Sequence, residues 1–442
     1  MKKVLFICVT MLLICISGKA TERNLLLIPY PQQVSIKQGN YNLTDNVKIG
    51  ADPLFTQELK KLQEVLTEDF GLKSQIVKPS KADISLCYDA SFMQEEKEAY
   101  QLEVTDMKIT IRAQMATGIF YGIQSLRQLI KSEAGKWIIP KLTITDYPAL
   151  SWRSFMLDEG RYFKGEKVVK QILDEMALLK MNVFQWHLTD DQGWRIEIKK
   201  YPRLTEIGAF RDSTQMEWYE SHHYDGKPHG YTQTQIRSII KYASERHITI
   251  IPEIEMPGHS AAAIAAYPWL SATGKEIKVP CNFGVQYDVF NVTDPKVLNF
   301  LNDVIDEVTT LFSSGILHIG GDEVRYDQWN ASSSVQKFIQ EKGFSSASDI
   351  QVWFTNQMSK VIAQKGWRMM GWNDITGEKL HHFQSGDKEG TERLAPGTIV
   401  QFWKGDSDIL QRAAEQGQHI VNSYNNFTYL NYSYEYDSLQ AT

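Results

Sequence analysis

From residue 152 onward the chain alternates between short apolar runs and longer stretches in which apolar residues recur every three or four positions. The runs at 154–157, 182–188, 248–254, 316–319, 368–372, 399–403 and 419–423 read as strands, most of them apolar enough to be buried on both faces as parallel strands are. Between them, stretches such as 166–180, 234–247, 295–312 and 407–416 carry the spacing of amphipathic helices. Strand–helix repetition of this kind predicts an α/β fold, a (β/α)₈ TIM-type barrel, with function at the C-terminal strand ends. An open doubly wound sheet is the alternative, but no Gly-x-Gly-x-x-Gly opens a helix. The pattern supplies seven strands and the chain stops soon after the last, so the expectation is a barrel spanning 150–442 that lacks its last strand through C-terminal truncation.

Residues 21–149 follow a different rhythm. Short strand-like runs at 84–88 and 108–112 mix with helical stretches at 57–68 and 117–130, as in a small α+β domain, and Asp146-Tyr147-Pro148 marks its end. Residues 1–20 combine Lys2-Lys3, an apolar run from Val4 to Ile16 and Gly18-Lys19-Ala20, the three regions of a secretory signal peptide. The expectation is export to the periplasm, the outer surface or the medium. Cys15 could serve lipid attachment, although Ile14 before it is bulkier than such signals favour. Cys87 and Cys281 are expected as free, buried thiols, since two cysteines build neither a disulfide framework nor a metal site.

A net charge of −6 without basic blocks argues against nucleic acid. No later stretch approaches the ~20 apolar residues of a membrane span. No His-Glu-x-x-His occurs and His222-His223 are adjacent, so neither metal nor cofactor is expected. Oligomeric state is left open.

Candidate chemistry sits at the predicted strand ends. Asp158 and Arg161 follow the first run; His187, Asp190, Asp191 and Trp194 the second; Glu253, Glu255 and His259 the third; Asp322 and Glu323 the fourth. Trp372, Asn373 and Asp374 close the fifth, Trp403 the sixth, and Tyr429 and Asn431 follow the seventh. On one rim, indoles and a tyrosine among Arg, Asp and Asn suit a sugar ring, whose C–H faces stack on aromatics while its hydroxyls take the polar groups. Asp322 and Glu323 are consecutive, and consecutive strand side chains diverge, so they are poorly placed to act from opposite sides of a glycosidic bond. A substrate that supplies its own nucleophile, a 2-acetamido oxygen, removes that difficulty.

Four segments resemble, in order and spacing, the β-N-acetylhexosaminidases of glycoside hydrolase family 20: Asp158-Glu159-Gly160-Arg161, His187-Leu188-Thr189-Asp190-Asp191-Gln192-Gly193-Trp194-Arg195, Glu253-Ile254-Glu255-Met256-Pro257-Gly258-His259 and His318-Ile319-Gly320-Gly321-Asp322-Glu323. The resemblance extends from Ile28 to the end and includes the first domain. It implies a retaining, exo-acting hydrolase that releases terminal GlcNAc or GalNAc from glycans through an oxazolinium intermediate. By motif position Glu323 would be the general acid/base, Asp322 would orient the acetamido group and Tyr429 would hydrogen-bond its oxygen. Trp372 and Trp403 would wall the pocket, Arg161 and Asn431 would reach the outer hydroxyls, and His259 with Asp190 would form a relay behind Glu323. An ionised Asp322 is expected to keep Glu323 protonated.

Three departures from the family pattern stand out. Ser154 replaces a common Gly, Asn431 stands where Asp is frequent, and the Trp-x-Glu segment of the eighth strand is absent. Asn431 removes a negative charge from the pocket edge, which would ease entry of sugars with an anionic 6-substituent. The rival readings are a non-catalytic glycan-binding barrel and a two-carboxylate glycosidase pairing Glu323 with Glu255 or Asp190.

Overall fold

The computed structural model describes residues 25–93, 95–216, 221–378, 380–384 and 393–431. Residues 1–20, expected as a signal peptide, lie outside the described residues. Two compact units emerge, one comprising residues up to Ala149 with Leu178–Lys180, the other Leu150–Ala177 and the residues from Met181.

The first unit is one mixed sheet with two longer helices. Its strands are β1 (Gln33–Asn42), β2 (Asn46–Ala51), β3 (Lys73–Ile76), β4 (Ile84–Tyr88), β5 (Tyr100–Val104), β6 (Ile109–Ala113), β7 (Lys131–Glu133) and β8 (Lys136–Asp146), with helices α1 (Thr56–Glu68) and α2 (Ala116–Leu129). They pair in the order β1-β8-β5-β6-β4-β2-β3, with β7 beside β8. Strand β5 alternates fully and partly buried positions because it covers an apolar layer on one face. This unit carries none of the candidate residues.

The second unit is built on β9 (Ser154–Asp158), β10 (Val183–His187), β11 (Thr249–Glu253), β12 (Ile316–His318), β13 (Arg368–Trp372), β14 (Ile399–Phe402) and β15 (His419–Asn422). All are parallel and each pairs with the next, the sequential order of a TIM-type barrel. Among the described residues the sheet has seven strands, and β9 and β15 are its outer members. The connecting helices are α3 (Gly165–Leu178), α4 (Gln233–Ser244), α5 (Pro295–Leu311), α6 (Ala347–Gln364) and α7 (Ser407–Glu415). A capping box of Thr232 and Gln235 starts α4, and Asp294 with Pro295 starts α5. Helices predicted to run to 180 and 247 stop earlier, at Leu178 and Ser244. Lys180 and His247 adopt left-handed backbone, φ +58° and +56°, and turn the chain into the next strand.

Inward-facing residues form layers, because side chains two apart share a strand face. Val183, Ile251, Met370 and Ile399 pack together with Ile316 and Val421 against them. Burying each such side chain stabilises by roughly 1.5–3 kcal/mol. Two residues further along the same strands the layer is polar. Glu253 accepts from Gln185 Nε2 (2.7 Å) and Trp372 Nε1 (2.9 Å), and His318 Nε2 lies 3.1 Å from Gln401 Oε1. Above this hydrogen-bonded floor the strands end and the candidate residues begin.

Candidate active site

The loop after β12 carries Asp322 and Glu323 in a strained path. Gly320, Gly321 and Glu323 all have left-handed backbone, with φ of +64°, +87° and +50°. Gly320 must be glycine for a second reason: a Cβ there would lie 1.6 Å from Glu255 Oε2. The amide of Glu323 donates to Asp374 Oδ1 at 3.3 Å, which fixes the loop to the end of β13.

Opposite stands His259, also left-handed at φ +49°. Its Nε2 lies 3.4 Å from Glu323 Oε2 and 3.6 Å from Asp322 Oδ2, so one imidazole faces both carboxylates. Its Nδ1 faces Asp191 Oδ2 at 3.1 Å and Asp190 Oδ1 at 3.2 Å. The support expected from Asp190 alone is thus divided. Asp191 is held by the amide of Ala261 (3.0 Å), while Asp190 Oδ2 is occupied by Arg161 Nη1 at 2.6 Å.

Arg161 bridges Asp190 and Asp158, the latter at 2.9 Å. Its loop is pinned from below. Glu159 accepts from Trp186 Nε1 (2.6 Å) and Tyr231 OH (2.8 Å), and Arg195 donates to the carbonyls of Glu159 and Gly160, each at 2.8 Å. Arg195 was visible in the sequence only as a letter of a motif, with no pattern to mark it as a buried clamp.

The aromatic rings at the ends of β13 and β14 gather together. Trp372 and Trp403 meet edge to face, their centroids 6.4 Å apart, and Tyr429 lies parallel to Trp403 with an interplanar angle of 14°. Both indole N–H groups are anchored, Trp372 on Glu253 and Trp403 on Asp374 Oδ2 at 3.0 Å. Asn431 is exposed beyond Tyr429.

Several residues expected on the rim lie elsewhere. Trp194 is buried and donates to the carbonyl of Ile196 at 2.7 Å, so it fills the core. Asn373 binds the backbone of Trp403 (3.0 Å) and Lys404 (2.9 Å). His187 and Glu253, the last residues of β10 and β11, and Glu255 just beyond β11 are buried. His187 Nε2 lies 3.1 Å from Glu255 Oε1 and 3.3 Å from Asp190 Oδ2. Cys87 and Cys281 are free but only partly buried. Among the described residues, four groups of histidines and acids approach within 4.8 Å, Asp190, Asp191 and His259 among them. In that group Arg161 and the His259 imidazole oppose the two carboxylates.

The expected division of charge between Asp322 and Glu323 is reversed. Burial pushes the Asp322 carboxyl up to about 7 against the pull of His259, with Asp374 and Glu323 adding to the rise. Burial also works to raise Glu323, but the hydrogen bond and charge of His259, with help from His381 and Arg161, outweigh it and leave Glu323 below the usual range. Exposure decides between the neighbours: Asp322 is 15% exposed and Glu323 23%, and His259 is nearer Glu323. Burial likewise opposes a charge on His259, yet Asp190 and Asp322 raise it well above the usual imidazole value.

One residue had no sequence signal. His381, in the long connection after β13, is buried with Nε2 3.0 Å from Asp374 Oδ1 and Nδ1 3.7 Å from Glu323 Oε1. It belongs to no strand end and no spacing pattern.

The profile of glycosyl hydrolase family 20, catalytic domain, matches residues 150–441, and that of the family's domain 2 matches residues 24–147. The chain belongs to glycosyl hydrolase family 20. Among curated proteins it is 37% identical to a beta-hexosaminidase of Porphyromonas gingivalis over 92% of this chain, and 33% identical to one of Vibrio furnissii over 93%. It spans 52% and 65% of the lengths of those family members. Among solved structures, the beta-N-acetylhexosaminidase of Bacteroides fragilis shares 31% identity at a TM-score of 0.77, covering 93% of this chain and 77% of that one. The family 20 exo beta-N-acetylglucosaminidase of Vibrio harveyi, solved with N-acetylglucosamine, shares 28% identity at a TM-score of 0.78, covering 92% of this chain and 61% of that one.

Proposed function

We propose that this chain carries the active site of an exo-acting, retaining β-N-acetylhexosaminidase that releases terminal N-acetylhexosamine from glycans by substrate-assisted catalysis. The observation that carries the reading is the pairing of Asp322 and Glu323 on the same nitrogen of His259. Two acids on one side of a pocket cannot flank a glycosidic bond, but they can divide the work of a neighbouring-group reaction. The acids a two-carboxylate mechanism would recruit are committed elsewhere. Asp190 is enclosed by Arg161, His187 and His259, and Glu255 lies buried against Gly320.

In this reading the acetamido oxygen attacks the anomeric carbon as the glycosidic oxygen leaves with the proton of Glu323. Asp322 accepts the acetamido N–H, Tyr429 donates to the acetamido oxygen, and Trp372 and Trp403 enclose the methyl group. The resulting oxazolinium is opened by water, whose proton returns to Glu323, so configuration is retained. Arg161 and Asn431 reach the outer hydroxyls. Asp322 must ionise and Glu323 must be protonated before the first step, a one-proton exchange that leaves total charge unchanged. His259, facing both carboxylates, is placed to mediate it.

The test is turnover of 4-nitrophenyl 2-acetamido-2-deoxy-β-glucoside against the 2-hydroxy glucoside. The reading requires turnover of the first, little of the second, and inhibition by a thiazoline mimic of the cyclised sugar. A glycan-binding barrel would turn over neither, and a two-carboxylate enzyme would accept both. From the first twenty residues we also propose export, which N-terminal sequencing of the mature protein tests.

A further inference from the structure

Glu323 has a histidine at each of its oxygens. His259 faces Oε2, and His381 faces Oε1. Each is backed by aspartate, His259 by Asp190 and Asp191, His381 by Asp374.

His381 also sits in a column of rings. It stacks on Phe383 (5.1 Å between centroids, 15°) and on Trp403 (5.8 Å, 26°), and Trp403 stacks in turn on Tyr429. The guanidinium of Arg325 covers the Phe383 ring at 4.8 Å and the Tyr287 ring at 4.2 Å. The column fixes the imidazole plane while Asp374 fixes its rotation. The same Asp374 binds Trp403 Nε1 and the Glu323 amide. One carboxylate therefore ties the pocket wall, the Glu323 backbone and the second histidine together.

We propose that His381, oriented by Asp374, is a positioning residue for Glu323 in both of its roles, a function that rests on the acid/base reading above. With Nε2–H directed at Asp374, the ring keeps Nδ1 toward Glu323 Oε1 and fixes the rotation of the carboxyl group without exchanging a proton with it. A ring held in place by Asp374 and the aromatic column thus keeps one carboxyl orientation before Glu323 gives its proton and after. The 3.7 Å separation of Nδ1 and Oε1 is an ion-pair distance, longer than a hydrogen bond. The groups facing Glu323 are His259, Asp322, Asp374, Arg161 and His381, and His381 is the member that faces Oε1.

The test compares wild type with His381→Phe, which keeps the stack and loses both nitrogens, and His381→Gln, which restores a polar group. Each is assayed in the full chain on 2-acetamido glycosides with dinitrophenyl and with alkyl leaving groups. The expected result for His381→Phe is a loss of about tenfold or more in kcat/KM on the alkyl glycoside, little change on the dinitrophenyl one, which needs no acid, and partial recovery in His381→Gln. Equal losses on both substrates, or none on either, would overturn the proposal and leave His381 a packing residue. Should His381→Phe not fold, His381→Gln against wild type gives the same comparison. Glu323→Gln is the control: if it shows no dependence on the leaving group, the acid/base reading fails first, whereas a selective loss there with none in the His381 variants rejects only the inference.

Discussion

His259 and Glu323 face each other at 3.4 Å with left-handed backbones, φ +49° and +50°, although neither is glycine. Each such residue costs roughly 1–2 kcal/mol. Strain of this kind persists where surrounding structure fixes it, and it clusters at functional sites. Here Asp374 fixes the Glu323 amide, while Asp190 and Asp191 hold the His259 ring.

Gly320→Ala tests how the Glu323 loop is seated. A Cβ would meet Glu255 Oε2 at 1.6 Å and would sit at φ +64°. A loss of more than about 4 kcal/mol is expected in urea unfolding. The penalty should shrink in Gly320→Ala combined with Glu255→Ala, because the colliding carboxyl is gone. Equal penalties in the two backgrounds would refute the contact.

Asp322→Asn probes the reversed charges. With its folded value at about 7, above the unfolded value, Asp322 holds a proton in the native state that the unfolded chain has lost. Its contribution is present below the unfolded value of about 3.9 and is lost as pH rises through about 7. The variant lacks this slope. Relative to wild type it should gain stability between pH 4 and pH 8, by about 1 kcal/mol or more. A difference independent of pH in denaturation at both values would count against the assignment.

Glu255→Gln and Glu253→Gln should differ sharply. Burial, with the charge of Asp322, raises Glu255 well above the usual carboxylate range, so an amide is close to its native form and should cost less than about 1 kcal/mol. Glu253 accepts from Gln185 Nε2 and Trp372 Nε1 on separate oxygens. An amide there sets one N–H against another and should cost roughly 1–3 kcal/mol. Thermal melts of both variants in one buffer provide the comparison.

Asn431→Asp addresses the pocket edge. Asn431 is exposed beyond Tyr429, so an added negative charge would act on ligands while leaving the core untouched. The expected result is a several-fold fall in kcat/KM for 6-sulfated over plain N-acetylglucosaminides, smaller at high salt. An unchanged ratio would remove Asn431 from any account of specificity.

Much of this was written in the order of residues. Apolar runs separated by helical spacing follow from local periodicity and chain connectivity, so the strands were found within a residue or two and the acids were placed at their ends. The layering of the interior follows from the two-residue period of strands, which is equally local. What only the tertiary structure decided is which charged neighbours meet and how deeply each is buried. Asp190 is shared between His259 and Arg161, Asp322 took the higher proton affinity because it lies deeper than Glu323, and His381 reached Glu323 from a connection without periodicity. Those outcomes depend on distances between segments far apart in the chain and on local dielectric, neither of which spacing encodes.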